Sequence, residues 1–138
     1  MIKTYSTSSE TETSKVGSEL ARLLTVGSVV LLFGDLGAGK TAFVRGLAEA
    51  LGVDRRQVSS PTFALMQEYR GGRLPLFHVD LYRLDDPREI DDLGLEEITC
   101  EGVLAIEWAE KMMRPPANAI RVSFVYTSEV ERTITIDV

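Results

Sequence analysis

The chain has 138 residues, 44% hydrophobic and 26% charged, which is the make-up of one soluble globular domain long enough to bury a core. Its net charge of −6 and pI near 4.8 argue against general attraction to nucleic acid, and the arginines (Arg55 and Arg56, Arg70 and Arg73, Arg114) are scattered instead of massed. One cysteine, Cys100, excludes an intramolecular disulfide and suits a reducing cytoplasm with a packing role for the thiol; no apolar signal core opens the sequence, and no stretch approaches membrane-spanning length.

In chain order, residues 2–6 read as a short strand. Ser9-x-x-Glu12 spells a capping box, and Val16, Leu20, Leu23 and Leu24 form a helical stripe after it. The apolar, partly β-branched run at 28–33 predicts a strand buried on both faces. It leads directly into Gly34-Asp35-Leu36-Gly37-Ala38-Gly39-Lys40-Thr41, which fits the phosphate-loop pattern G-x-x-x-x-G-K-[ST]. From 41 to 51, Phe43, Val44, Leu47, Ala48 and Leu51 recur at helical spacing, and Gly52 supplies a stop. Strand, glycine loop and helix stand in the order such a loop requires, so the alternative of an ordinary glycine-rich turn is set aside.

The chemistry follows from that geometry. Gly34, Gly37 and Gly39 permit torsions and close approaches that a Cβ would block. The amides of Asp35 to Thr41 can then turn toward phosphate oxygens, with the helix N-terminus adding a favourable field. In that arrangement Lys40 sits on the β- and γ-phosphates and the Thr41 hydroxyl takes a magnesium position.

Residues 54–60 read as a polar loop ending in Ser59-Ser60-Pro61-Thr62-Phe63. Strands at 64–70 and 74–80 follow, joined by Gly71-Gly72 as a two-residue hairpin signal, with Pro75 putting the second strand's start at an edge or bulge. Short helices are expected after Asp86-Pro87, at 88–93 and 95–99. The acidic stretch from Asp85 through Glu101, with Asp91, Asp92, Glu96 and Glu97, reads either as a solvated face or as a docking surface for a basic partner. Residues 103–106 form a second apolar strand ending at Glu107-Trp108, and Arg114-Pro115-Pro116 breaks the chain. Ile120, Val122, Phe124 and Tyr126 alternate, as do Ile134, Ile136 and Val138, predicting a closing antiparallel pair. With no repeat, low-complexity tract or linker, residues 1–138 read as a single α/β domain. The expected architecture is a three-layer sandwich whose mixed sheet is parallel around the phosphate loop and antiparallel elsewhere.

Magnesium held by Thr41 needs further oxygen ligands, which in phosphate-loop enzymes come from acids at the C-terminal ends of neighbouring strands. Asp80 and Glu107 stand at such tips, where an acid can also simply start a loop. Thr62 lies where other triphosphatases keep a switch threonine that senses the γ-phosphate, and a plain proline turn fits its position equally well. His78, inside an apolar strand, reads as a hydrogen-bonded core histidine in preference to a catalytic base. Trp108 could cover the site or simply pack.

Gly34 through Thr41, Ser60-Pro61-Thr62-Phe63, His78-Val79-Asp80-Leu81-Tyr82-Arg83-Leu84 and Glu107-Trp108 together resemble the TsaE (YjeE) family, in the same order and over essentially the whole chain. The resemblance implies a small, weak bacterial ATPase that does not itself modify tRNA. It implies partners, TsaB and TsaD, the latter transferring a threonylcarbamoyl group to adenosine 37 of tRNA, with ATP hydrolysis by this subunit resetting that complex between turnovers. Contact with tRNA would then run only through the complex. Residue by residue, it implies phosphate binding by Lys40, magnesium binding by Thr41 and Glu107, and action of Asp80 and Thr62 on the γ-phosphate and attacking water. It also implies nucleotide contacts by Glu10 and Arg132, with Trp108 beside the site.

Three rival readings compete with this one. Asp91-Asp92-Leu93-Gly94 spells the D-x-x-G of GTPases but follows a helix start, and Asn118, the only asparagine, precedes Ala119, so no N-K-x-D exists. A small-molecule kinase needs a substrate pocket and lid for which little chain is left. A nucleotide sensor with negligible hydrolysis would share every residue named.

Overall fold

The computed structural model describes residues 1–34, 39–58 and 65–138, with no side-chain detail at Arg55. Its centre is one seven-stranded sheet built from β1 (Ile2–Thr7), β2 (Val29–Phe33), β3 (Met66–Tyr69), β4 (Leu76–Asp80), β5 (Val103–Glu107), β6 (Ile120–Tyr126) and β7 (Arg132–Asp137). Across the sheet the order is β1-β7-β6-β2-β5-β4-β3. The pairings of β6, β2, β5 and β4 are parallel, and the outer pairings are antiparallel, as expected for a mixed sheet. The strands β2, β4 and β5 are buried nearly throughout, which explains why their sequences carry apolar runs without alternation. Nearer the edge, β6 alternates buried and exposed residues over its first half.

Helices α1 (Glu10–Ala21) and α2 (Lys40–Ala50) cover one face, packing Val16, Leu20, Phe43, Val44 and Leu47 onto Val30, Leu32, Leu76, Val103 and Ala105. Two five-residue helices, α3 (Pro87–Asp91) and α4 (Leu95–Thr99), lie on the other, where Ile90 and Leu95 meet Leu31, Phe77, Val79, Leu104 and Ile106. Ser9 caps α1 by accepting the Glu12 amide at 3.1 Å. The Glu12 carboxylate reaches back to the Ser8 amide at 2.7 Å, one residue before the position that a capping box uses. Those bonds from Ser8 hold the Glu12 carboxyl below its ordinary range.

The two long helices touch through small residues. A Cβ on Gly46 would stand 1.8 Å from the Ser14 carbonyl oxygen. Ser14 Oγ donates to the Ala42 carbonyl at 2.9 Å and Ser18 Oγ to that of Gly46 at 3.0 Å, so the contact also satisfies its own hydroxyls.

Four local expectations are corrected. Leu23 lies beyond the end of α1 and is 62% exposed, so the buried stripe is Val16, Leu20 and Leu24. The hairpin pairs Tyr69 with Leu76 and turns over residues 70–75, a longer connection than Gly71-Gly72 suggested. Gly72 is needed elsewhere: a Cβ there would come within 2.3 Å of the Leu51 carbonyl. Pro75 just precedes β4, which is an interior strand, and its carbonyl accepts from the Val103 amide at 2.9 Å, so it marks neither an edge nor a bulge. Cys100 is exposed and does no core packing. Among the described residues, no helix is long and apolar enough to cross a membrane.

Candidate functional site

The site grows from strand register. Parallel pairing sets Leu32 of β2 beside Glu107 of β5, and Glu107 beside Asp80 of β4. Three neighbouring strands therefore end level with one another. Along β4, Asp80 and His78 alternate with core residues in step with Leu76; along β5, Glu107 is in step with Val103 and Ala105. Since side chains two apart share a face, all three polar groups belong to the face that α1 and α2 cover. Asp80 and Glu107 are both nearly inaccessible, at 3% and 4% exposure.

From β2 the chain passes through Gly34 to Gly39, the residue before α2. Gly39 has φ of 99°, left-handed torsions that suit glycine. Side chains crowd it too, since a Cβ there would meet Arg132 Cδ at 3.4 Å and Thr13 Cγ2 at 3.5 Å. Lys40 opens α2 and is 3% exposed. Its ammonium donates to the Gly34 carbonyl at 2.7 Å and lies 4.0 Å from the centre of the Trp108 ring. A buried cation needs such partners. A phosphate arriving at the helix N-terminus would add a full negative charge to that set. Thr41 follows, half-buried in the first turn of α2.

Trp108, next after Glu107, has φ of 60° and stacks its ring 5.0 Å from that of Tyr82. It thus both covers Lys40 and packs. Asp80 Oδ1 accepts the Tyr82 amide at 2.8 Å, and the Asp80 amide donates to the Leu65 carbonyl at 2.9 Å, where the described chain resumes after residue 64.

His78 is completely buried, with Nε2 2.5 Å from Glu107 Oε2 and Nδ1 3.2 Å from the Tyr69 hydroxyl. The sequence reading of a hydrogen-bonded core histidine agrees with this placement, yet it missed that the partner is the acid proposed for metal. The signal was present only in register: residues 78 and 80 share a face of β4, and 107 is level with 80.

Near the termini, Arg132 Nη1 lies 3.4 Å from the Thr13 hydroxyl, its guanidinium 5.6 Å from the Tyr126 ring, and its Nε is buried with no hydrogen-bond partner among the described residues. Arg132 and Thr13 therefore flank Gly39. Glu10 stands exposed in the first turn of α1, one turn before Thr13. Asp35, Leu36, Gly37 and Ala38, and Ser60 with Thr62, lie outside the described residues. Asp91 ends α3 and Gly94 precedes α4, so the D-x-x-G run belongs to the opposite face from Lys40.

Among the described residues no three His, Cys, Asp or Glu side chains gather as a ready-made metal cage. Magnesium beside a triphosphate needs none: it keeps waters and takes one or two carboxylates plus phosphate oxygens. Two level carboxylates on the face of the sheet that α2 covers, with Thr41 in the first turn of that helix, fit that requirement.

Comparison with known proteins agrees with this architecture. The model of the family described as threonylcarbamoyl adenosine biosynthesis protein TsaE matches residues 7–134. The tRNA threonylcarbamoyladenosine biosynthesis protein TsaE of Nostoc sp. is 47% identical over 126 residues, covering 87% of this chain and 76% of that protein. Its counterpart in Bacillus subtilis is 42% identical over 126 residues, covering 90% and 78%. The crystal structure of Bacillus subtilis YdiB superposes with a TM-score of 0.77 at 33% identity, covering 99% of this chain and 84% of that one. The chain thus belongs to the TsaE family, whose role is in tRNA threonylcarbamoyladenosine biosynthesis.

Proposed function

We propose that this chain binds ATP with magnesium and hydrolyses it slowly, as the subunit that resets a TsaB–TsaD complex between rounds of threonylcarbamoylation at adenosine 37 of tRNA. The observation that carries the reading is the meeting of Lys40 at the start of α2 with Trp108, beside level carboxylates at the ends of β4 and β5. Amides of residues 35–41 and the Lys40 ammonium would hold the phosphates. Thr41 and Glu107 would hold magnesium, which supplies charge neutralisation on the β- and γ-oxygens. Asp80, with Thr62, would orient the attacking water, while Trp108 keeps bulk water from Lys40. Arg132, close against Gly39, and Glu10 on the same side would meet the nucleotide. The acidic balance suits a protein that reaches tRNA only through its partners.

Hydrolysis is to be measured for the chain alone and with TsaB and TsaD. The expectation is slow turnover alone and stimulation in the complex, abolished by Lys40→Ala and by Glu107→Ala. Asp80→Ala should still bind ATP while losing turnover. A complex that turns over repeatedly without this chain would contradict the resetting role, and a clear preference for GTP over ATP would contradict the assignment of the nucleotide.

A further inference from the structure

From the hydrogen-bond chain that crosses β3, β4 and β5 beneath the site, we infer that His78 is the positioning residue of the Glu107 carboxylate, itself oriented by Tyr69. The inference rests on the reading of Glu107 as a magnesium ligand. His78 occupies a fully buried position on the helix-covered face, in step with Leu76, where a leucine would need no partner. An imidazole there is costly unless both nitrogens are bonded, and both are. The bonds run in one direction across the sheet, from Tyr69 on β3 through His78 on β4 to Glu107 on β5.

Proton accounting sharpens the assignment. A carboxylate that ligates a cation is ionised and can only accept, so His78 Nε2 carries a proton and donates it to Oε2. A neutral imidazole that donates from Nε2 accepts at Nδ1, so the Tyr69 hydroxyl donates to Nδ1, with the Gln67 amide turned to donate to that hydroxyl. His78 uses one carboxylate oxygen and leaves the other, together with spare lone pairs, for the ligand. Support of this kind selects the rotamer of a ligating group before the metal arrives. It also ties Glu107 to β3, the first strand after residues 59–64.

The test is equilibrium binding of ATP in excess EDTA and in Mg²⁺, with thermal midpoints, for the wild type, His78→Leu, His78→Gln and Tyr69→Phe. In the wild type Mg²⁺ should raise the affinity; if it does not, the reading of Glu107 fails and takes this inference with it. Given that gain, His78→Leu should reduce it by about 10- to 100-fold while leaving the EDTA affinity unchanged. His78→Gln, which can set an amide N–H near the Nε2 position, should recover most of the loss. Tyr69→Phe should lose less, under about 10-fold. A merely structural histidine would lower the EDTA and Mg²⁺ affinities together, and that result overturns the proposal. So does a wild-type Mg²⁺ gain in His78→Leu. Should His78→Leu fail to fold, Tyr69→Phe decides, and an undiminished gain there is equally contrary.

Discussion

The two faces of the sheet are covered by different means. On one, twelve- and eleven-residue helices meet backbone to backbone at Gly46 and seal Phe43, Leu47 and Leu32 from solvent. On the other, two helices of five residues each dock through Ile90 and Leu95. They leave a cleft of about 570 Å³ over Leu104 and Ile106, rimmed by Asp91, Glu96, Glu97 and Arg114. Five-residue helices have almost no stability of their own and owe their shape to docking. The candidate site, including Lys40 and the Tyr69–His78–Glu107 chain, belongs to the face covered by the two long helices. Polar groups that must hold a ligand within a fraction of an ångström gain from neighbours that cannot yield. The acidic stretch read from sequence belongs to the face of the short helices, with Asp91, Asp92, Glu96 and Glu97 in contact with solvent.

Substitutions can break that contrast. Leu47→Ala removes a fully buried side chain between α2 and the sheet, and should cost about 4 kcal/mol in denaturant unfolding. Leu95→Ala, 9% exposed beneath a short helix that can settle, should cost about 2 kcal/mol. Equal losses would mean that the faces are equally stiff. Gly46→Ala probes the helix contact itself. Overpacking against the Ser14 carbonyl should cost roughly 3 kcal/mol, offset by roughly 1 kcal/mol that alanine gains over glycine within a helix, for a net loss of about 2 kcal/mol. A stabilised Gly46→Ala would show that the helices part without penalty. The smallest effect is expected from Ser9→Ala, which removes the cap of α1 for about 1 kcal/mol and should leave α3 unaltered in amide exchange.

Much of this was legible because it is local. The apolar run, the glycines and Lys40-Thr41 are contiguous, so strand, loop and helix could be read without tertiary information. The acids at 80 and 107 could be read as strand tips because each closes an apolar run. The link between His78 and Glu107 could not, since it depends on which strands neighbour one another and in what register, and 29 residues separate them. Gly17 and Gly46 suffered the same limit. Inside a helix a glycine reads as a weak helix former, and only the partner helix reveals that its missing side chain makes the contact. Gly71-Gly72 misled for a related reason: the turn is longer, and Gly72 is spent on the approach to Leu51. Cys100 was expected to pack because it has no second cysteine to share a metal site; at the end of a short helix it is exposed instead.

The central claim is that a triphosphate lies along the start of α2 with its metal between Thr41 and Glu107. A crystal structure with magnesium and a non-hydrolysable ATP analogue tests it most directly. The account predicts the Lys40 ammonium moved from the Gly34 carbonyl onto phosphate oxygens, with magnesium about 2.1 Å from the Thr41 hydroxyl and Glu107, still bonded to His78, in the metal's first or water-bridged shell. A nucleotide seated in the cleft beneath α3 and α4, or a metal bound with Glu107 turned away from it, would contradict the account.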